Sequence, residues 1–215
     1  MTEVGRVRAE RVEVRRSRDL ILDAAEHHYT DHQADPTMSE LAQLAGVGSA
    51  TLYRRFPSIS DVIEALYERH FSYHQAIVDA MLAQPTGWDG VVTLITGIAA
   101  MVLEHPAVPR VTRKMLELFP DLRHGSRWDG PLRDVTARAH AEGALRPDVD
   151  TNDLTLAAFR LGEYNYLPEA ARARIVARQA AIVLDGVRAG ADRTELPGAA
   201  ISTEELQSYL HTPMR

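Results

Sequence analysis

Two histidine pairs, His28/His32 and His70/His74, stand four residues apart, the spacing that sets two imidazoles on one helix face as metal ligands. Neither pair has a third ligand near it in sequence, so no metal is expected. The 215 residues include no cysteine, which excludes disulfides, thiolate metal sites and a cysteine nucleophile. A glycine-rich phosphate loop, a nucleophile elbow and a His-Glu-x-x-His helix are all missing. The expectation is therefore no catalytic residue, no cofactor and no enzyme. What does recur is arginine. Residues 1–18 hold arginines 6, 8, 11, 15, 16 and 18 against glutamates 3, 10 and 13, and Arg54-Arg55 form the next basic cluster. A phosphate backbone calls for positive charge of this kind, but only where the phosphates lie. A formal net charge of −6 for the chain does not exclude it. The footprint is modest: residues 1–56 carry eight basic against nine acidic side chains.

These groups need elements to hold them, and apolar spacing predicts helices throughout. Ile21, Ala24, Ala25, His28 and Tyr29 share one face of a helix from Arg18 to about Asp31. Residues 1–17 before it read as a flexible, arginine-bearing arm, in part helical. Thr37-Met38-Ser39-Glu40 fits a capping box. The helix it opens is expected to bury Leu41, Leu44 and Ala45 and to stop at Gly46, a residue suited to a left-handed turn. A second short helix follows from about Ser49 to Phe56, with Leu52 and Phe56 inward, and Pro57 ends it. Ser58 caps a long helix to about Leu82, roughly 35 Å at 1.5 Å per residue. Its apolar stripe is Val62, Leu66, Phe71, Ile77, Val78 and Met81. Further helices are expected over 88–104, 109–119, 129–142, 151–166 (capped by Thr151) and 169–188. A second capping box, Ser202-Thr203-Glu204-Glu205, announces a short last one. With no strand-like alternation, the expected fold is all-α. The longest apolar run, Ile98 to Leu103, is too short to cross a bilayer, and the N-terminus lacks a signal-peptide pattern. A cytoplasmic protein with no membrane partner is expected.

Two short helices joined by a glycine turn make a helix-turn-helix, although helical hairpins of this form also occur as plain structure. The residues go further. The Ala45-Gly46-Val47 turn, the Thr51-Leu52-Tyr53 trio, the terminal Phe56 and the long helix behind it closely resemble the DNA-binding domain of the TetR family of bacterial transcriptional regulators. Arg18-x-x-Ile21-Leu22-x-Ala24-Ala25 is similar to that family's first helix, and the resemblance spans about residues 16–66. It implies an N-terminal three-helix DNA-binding domain with a helix-turn-helix over 18–59. It also implies a C-terminal helical domain for ligand sensing and dimerisation over 60–215. Among DNA contacts it implies Thr37, at a helix start suited to phosphate, and Thr51 and Tyr53, matched to positions that contact mostly backbone. Arg55 replaces a frequent histidine at a phosphate contact. Ser49 and Ala50 begin the recognition helix, where a serine bonds base edges and an alanine meets a thymine methyl. Arg54 reads guanine or neutralises phosphate, and Arg16 and Arg18 suit the backbone or the adjacent minor groove. Leu41, Ala45, Val47, Leu52 and Phe56 are core. Ser49 and Ile59 stand where the family often has lysine, which shifts weight onto the arginines at 16, 18, 54 and 55.

The same resemblance implies a homodimer joined through helices 151–166 and 169–188. Their apolar positions are Leu154, Ala157, Ala158, Leu161, Ile175, Ala180, Ile182 and Val183, a pattern that an internal core helix also shows. A two-fold dimer pairs its heads with a palindromic site on double-stranded DNA. A ligand cavity is implied among the helices between about 60 and 166. Candidate lining residues are Met81, Trp88, Ile98, Met101, Val102, Met115, Phe119, Trp128, Phe159 and Tyr164, each with core packing as the competing reading. The expected function is a ligand-responsive dimeric transcriptional regulator, a repressor released from its operator by a small, mostly apolar effector. The alternative is a small-molecule-binding protein or helical enzyme with a vestigial helix-turn-helix.

Overall fold

Helices make up the regular structure of this chain, seen in a computed structural model that describes residues 3–210 apart from Gln33, His124 and Asp192. In chain order they are α1 (Glu3–Asp31), α2 (Met38–Leu44), α3 (Ser49–Arg55), α4 (Ile59–Leu82), α5 (Gly87–Glu104), α6 (Val108–Leu118), α7 (Asp129–Ala141), α8 (Thr151–Arg160), α9 (Glu169–Val187) and α10 (Thr203–Leu210). Two 3₁₀ turns, Ser126–Trp128 and Leu161–Tyr166, lie before α7 and after α8. Among the described residues there is no strand, only one antiparallel bridge between Leu145 and Arg188.

Local chemistry explains most boundaries. Ser58 accepts the Asp61 N–H while Asp61 accepts from the Ser58 N–H, which starts α4 where the sequence places it. Three expectations are corrected. The first helix does not start at Arg18: α1 runs unbroken from Glu3 through the expected arm, because residues 6–18 are mostly good helix formers with no proline among them. The cap of α8 is Asp150, not Thr151; the Asp150 carboxylate accepts the Asn152 N–H, and the Thr151 hydroxyl turns to Thr136 instead. α8 also ends at Arg160 rather than near Tyr166. The chain tightens there into a 3₁₀ turn where Gly162 passes so close to Pro109 that an added Cβ would stand 2.7 Å from its Cγ.

The side chains pack into two apolar cores. One joins Ile21, Ala25 and Tyr29 of α1 with Leu41, Ala45, Leu52 and Phe56 of the two short helices. It does not stop near residue 59, because Val62, Ile63 and Leu66 of α4, Ala107 just before α6, and Val111 and Met115 of α6 complete it. The other surrounds α5, which packs against α4, α7, α8 and α9. By length and composition α5 could cross a membrane, but half of it is buried within this bundle. α4 and α6 thus belong to both cores. Leu44, expected inside, is 54% exposed, since α2 is only two turns long and its inward face is taken by Leu41, Ala42 and Ala45.

Candidate nucleic-acid interface and ligand cavity

The short helices are locked by bonds that their sequence encodes. Thr37 Oγ1 accepts the Glu40 N–H at 3.2 Å, and Glu40 Oε2 accepts from both the Thr37 N–H and its hydroxyl at 2.8 Å. These bonds hold the Glu40 carboxyl below the usual carboxylate range. The end of α2 turns through Gly46 at φ 64°, a left-handed conformation that favours glycine. Val47 N–H then reaches back to the Ala42 carbonyl at 3.0 Å. α3 opens at Gly48, with Leu52 and Phe56 buried on its inner side.

This frame sorts the expected DNA-contact residues. Ser49, Ala50, Tyr53 and Arg54 share the exposed face of α3, and Arg54 Nη2 lies 3.4 Å from Thr51 Oγ1. Tyr53 is 54% exposed although it is large and aromatic. Thr51 and Arg55 are half-buried on the opposite side. The Arg55 Nε–H donates to Ser17 Oγ at 3.1 Å, a partner 38 residues away that the sequence reading missed. The Arg18 guanidinium lies over the Phe56 ring at 4.9 Å, while Arg16 is exposed and one position from Ser17. Arg55 and Arg18 therefore brace α1 against α3 as well as carrying charge. Thr37 is exposed, but its N–H and hydroxyl proton are already given to Glu40, so they are not the free donors a phosphate would take.

Behind the head, α1 meets the rest of the chain through a polar cluster. Glu26 Oε1 lies 2.9 Å from His105 Nδ1 and 3.4 Å from His70 Nε2, and Arg69 Nη1 approaches Oε2 at 3.5 Å and Asp23 at 2.6 Å. Burial pushes the Glu26 carboxyl up, but the hydrogen bonds and charges of His70 and His105 outweigh it and hold it at about 2. The ring of His70 is 1% exposed, and Tyr73 stacks on His105 with ring centres 4.0 Å apart. On the other side, the Arg110 guanidinium donates to the Tyr29 and His32 carbonyls, and Lys114 pairs with Asp35 at 3.2 Å. Of the four spaced histidines, His28 bonds the Ala34 carbonyl and His74 Nδ1 donates to the His70 carbonyl. One histidine of each pair is thus bonded to a backbone carbonyl, while His70 faces Glu26 and the His32 ring lies against that of His28. Among the described residues no cluster of three ligands is assembled.

A cavity partly open to solvent lies between α4, α5, α7, α8 and α10. Of the ten expected lining residues, Ile98, Trp128 and Phe159 reach it. Met81, Met101 and Val102 are buried in the core around α5, and Met115 is in the core of the head. Trp88 and Tyr164 are half-buried against the α5 core, with Arg188 over the Trp88 ring, and Phe119 is 40% exposed. The rest of the wall was not anticipated. It includes the aliphatic Ile77, Val78, Leu94 and Leu132 and the polar Thr151, Asn152, Thr155 and Thr203, together with His74 and the charged pair Asp129 and Arg133. Asn152 is 8% exposed and donates to the Ile201 carbonyl at 2.8 Å, which pins the start of α10 over the cavity. Trp128 stacks on Phe71 at 4.3 Å and donates to Gln75 at 2.9 Å, which fixes its ring in the wall.

Comparison with known proteins fits this arrangement. Residues 21–66 match the profile of bacterial regulatory proteins of the tetR family. Among solved structures, the TetR transcriptional regulator SCO0520 from Streptomyces coelicolor is 26% identical, with a TM-score of 0.56 over 81% of this chain and 99% of that one. The ketosteroid transcriptional regulator KstR2 of Mycobacterium tuberculosis has a TM-score of 0.63 at 19% identity, covering 80% of this chain and 95% of its own. The fatty acid degradation regulator FadR from Bacillus halodurans has a TM-score of 0.59 at 18% identity, over 81% and 97%. A comparison with curated protein sequences finds no match.

Proposed function

We propose that this chain, whose residues 21–66 match the tetR family of bacterial regulatory proteins, is a dimeric cytoplasmic repressor that leaves a palindromic operator when a small, mostly apolar effector fills its C-terminal cavity. The observation that carries this reading is the outer face of α3, where Ser49, Ala50, Tyr53 and Arg54 stand together on a capped frame. That face is the one a recognition helix turns to the major groove. A single head reads few base pairs, so a two-fold pair is the effective reader. The dimer surface we propose is the outer side of α9, where Ala173, Ala177, Ala181 and Ile182 are exposed. Leu154, Ala158, Leu161 and Ala180 are buried in the chain's own core and take no part in it. The effector is placed in the cavity behind Trp128 because its wall is largely aliphatic and aromatic. Two regulators with this fold are described by the words ketosteroid and fatty acid degradation, in keeping with an apolar effector.

Release follows from shared helices. Ile77 and Val78 on the second half of α4 line the cavity, while Val62 and Leu66 on its first half are packed in the head. An effector that displaces the first pair favours a tilt of α4 and a head spacing that no longer fits the operator. The effector must bind that state more tightly than the DNA-bound one, since equal affinity shifts nothing. Electrophoretic mobility shift with DNA from the protein's own gene neighbourhood, over a salt series, tests the proposal. A specific band that weakens steeply with salt is expected; retardation equal to that of unrelated DNA would overturn it.

A further inference from the structure

The hydrogen bonds in the cavity wall narrow the chemistry of its occupant. The wall's neutral polar side chains form an arc mostly on α8, beside Thr203 of α10. Asp129 and Arg133 of α7 also line it, as does His74 of α4, which burial keeps toward its neutral form and whose Nδ1 is bonded to the His70 carbonyl. The Thr151 hydroxyl donates to Thr136 Oγ1 at 3.1 Å, and the Thr136 hydroxyl gives its own proton to the Leu132 carbonyl at 2.8 Å. The Thr155 hydroxyl donates to the Thr151 carbonyl at 3.0 Å. The Asn152 amide is oriented by the Ile201 carbonyl, which can only accept. Its Nδ2 donates there at 2.8 Å and to Thr203 Oγ1 at 3.5 Å, and Oδ1 remains as an acceptor. A hydroxyl has one proton and an amide nitrogen two, so these three side chains have committed their donors and keep only lone pairs. Thr203 accepts from Asn152 and retains its own proton, so the arc is rich in acceptors rather than devoid of donors. The first turn of α8 offers nothing to an anion either. The Asp150 carboxylate accepts the Asn152 N–H at 3.2 Å, and the Asp153 carboxylate accepts the Asp150 N–H at 2.7 Å. Two negative charges thus fill the helix end that would otherwise attract one. Arg133, also in the wall, is solvent-exposed, and its charge is offset by that of Asp129.

We infer that the cavity selects an apolar molecule bearing an uncharged hydrogen-bond donor, an alcohol or phenol, and rejects the matching carboxylate. This rests on the reading of the cavity as the effector site. A hydroxyl brings a proton to the lone pairs of Thr151, Asn152 and Thr155. A carboxylate brings only acceptors and a charge that must leave water without a partner. An ether of the same length brings an acceptor alone.

The test titrates decanol, decanoate and decyl methyl ether into the full-length protein at neutral pH. Binding is followed by calorimetry and by Trp128 fluorescence in a Trp88→Phe background. Decanol is expected to bind at least about tenfold more tightly than either of the others. Thr155→Val should shrink that margin and Thr155→Ser preserve it, with both variants folded by circular dichroism. Decanoate binding as tightly as decanol, or the ether matching the alcohol, would overturn the inference and leave the cavity reading standing. Failure of all three probes to bind would overturn both.

Discussion

Arg54 and Arg55 are adjacent in sequence and face opposite ways. A single step along the helix makes the difference, since successive residues are rotated by about 100°. Arg54 lies with Tyr53 and Ser49 on the outer face of α3, while Arg55 is drawn to Ser17 on α1. The two substitutions should therefore separate. Arg54→Ala is expected to weaken operator binding about tenfold and to flatten the salt dependence by about one phosphate contact, with the thermal midpoint unchanged. Arg55→Ala should instead lower the midpoint, by the few degrees that a lost hydrogen bond of about 1 kcal/mol implies. Mobility shift over a salt series and thermal unfolding on the same preparations check both; equal midpoints for the two variants would remove Arg55 from its role as a brace. Thr37 shows the same division of labour. Its capping box is readable from the spacing of Thr37 and Glu40, and forming it withdraws the donors that the spacing alone would assign to phosphate.

At the scale of elements, the joint between α1, α4 and the end of α5 is polar where the cores on either side are apolar. Glu26 on α1 faces His70 on α4 and His105 after α5, with Arg69 and Asp23 beside them and Glu104 3.9 Å from the far nitrogen of His105. The Glu26 carboxyl is held at about 2 in the folded chain against an ordinary value of 4.5. A depressed carboxyl stabilises the fold fully above its unfolded value, and that stability is lost as pH falls from about 4.5 toward 2. Glu26→Gln should remove this part of the acid dependence and cost on the order of 2 kcal/mol at neutral pH. Urea unfolding at neutral and acid pH measures it, and an unchanged acid limb in the variant would rule Glu26 out as its source. No single element encodes this joint. Glu26 and His105 are 79 residues apart, one within α1 and the other just past the end of α5, and nothing local to either marks it as a partner.

At the scale of the whole molecule, the proposed function needs two heads held at one spacing, and the proposed pairing surface is the alanine-rich outer side of α9. Placing a charge there should separate the subunits without unfolding them, because Ile182 is 57% exposed and packs into no core of its own chain. Ile182→Glu together with Ala177→Glu is expected to sediment as a monomer with native helix content and to lose specific operator binding. A dimeric variant would move the interface elsewhere. Much of this molecule was legible before folding. The capping residues Thr37 and Ser58, the glycine at 46 and the three-to-four-residue apolar spacing set the helices of the head and the start of α4, because caps and turns are local interactions between residues a few positions apart. The inward side of α3, Leu52 and Phe56, followed from apolar spacing, and its outer residues from the family resemblance. The cavity did not. Seven of the ten apolar residues expected to line it are elsewhere, since an apolar side chain on a helix face signals burial and not what it is buried against. Its polar arc on α8 and the α10 helix across it depend on contacts over some 50 residues, such as Asn152 to Ile201, that no local pattern records. Caps, turn and the inward side of α3 were thus determined by sequence, whereas the bracing of Arg55, the joint at Glu26 and the make-up of the cavity wall were decided by tertiary packing.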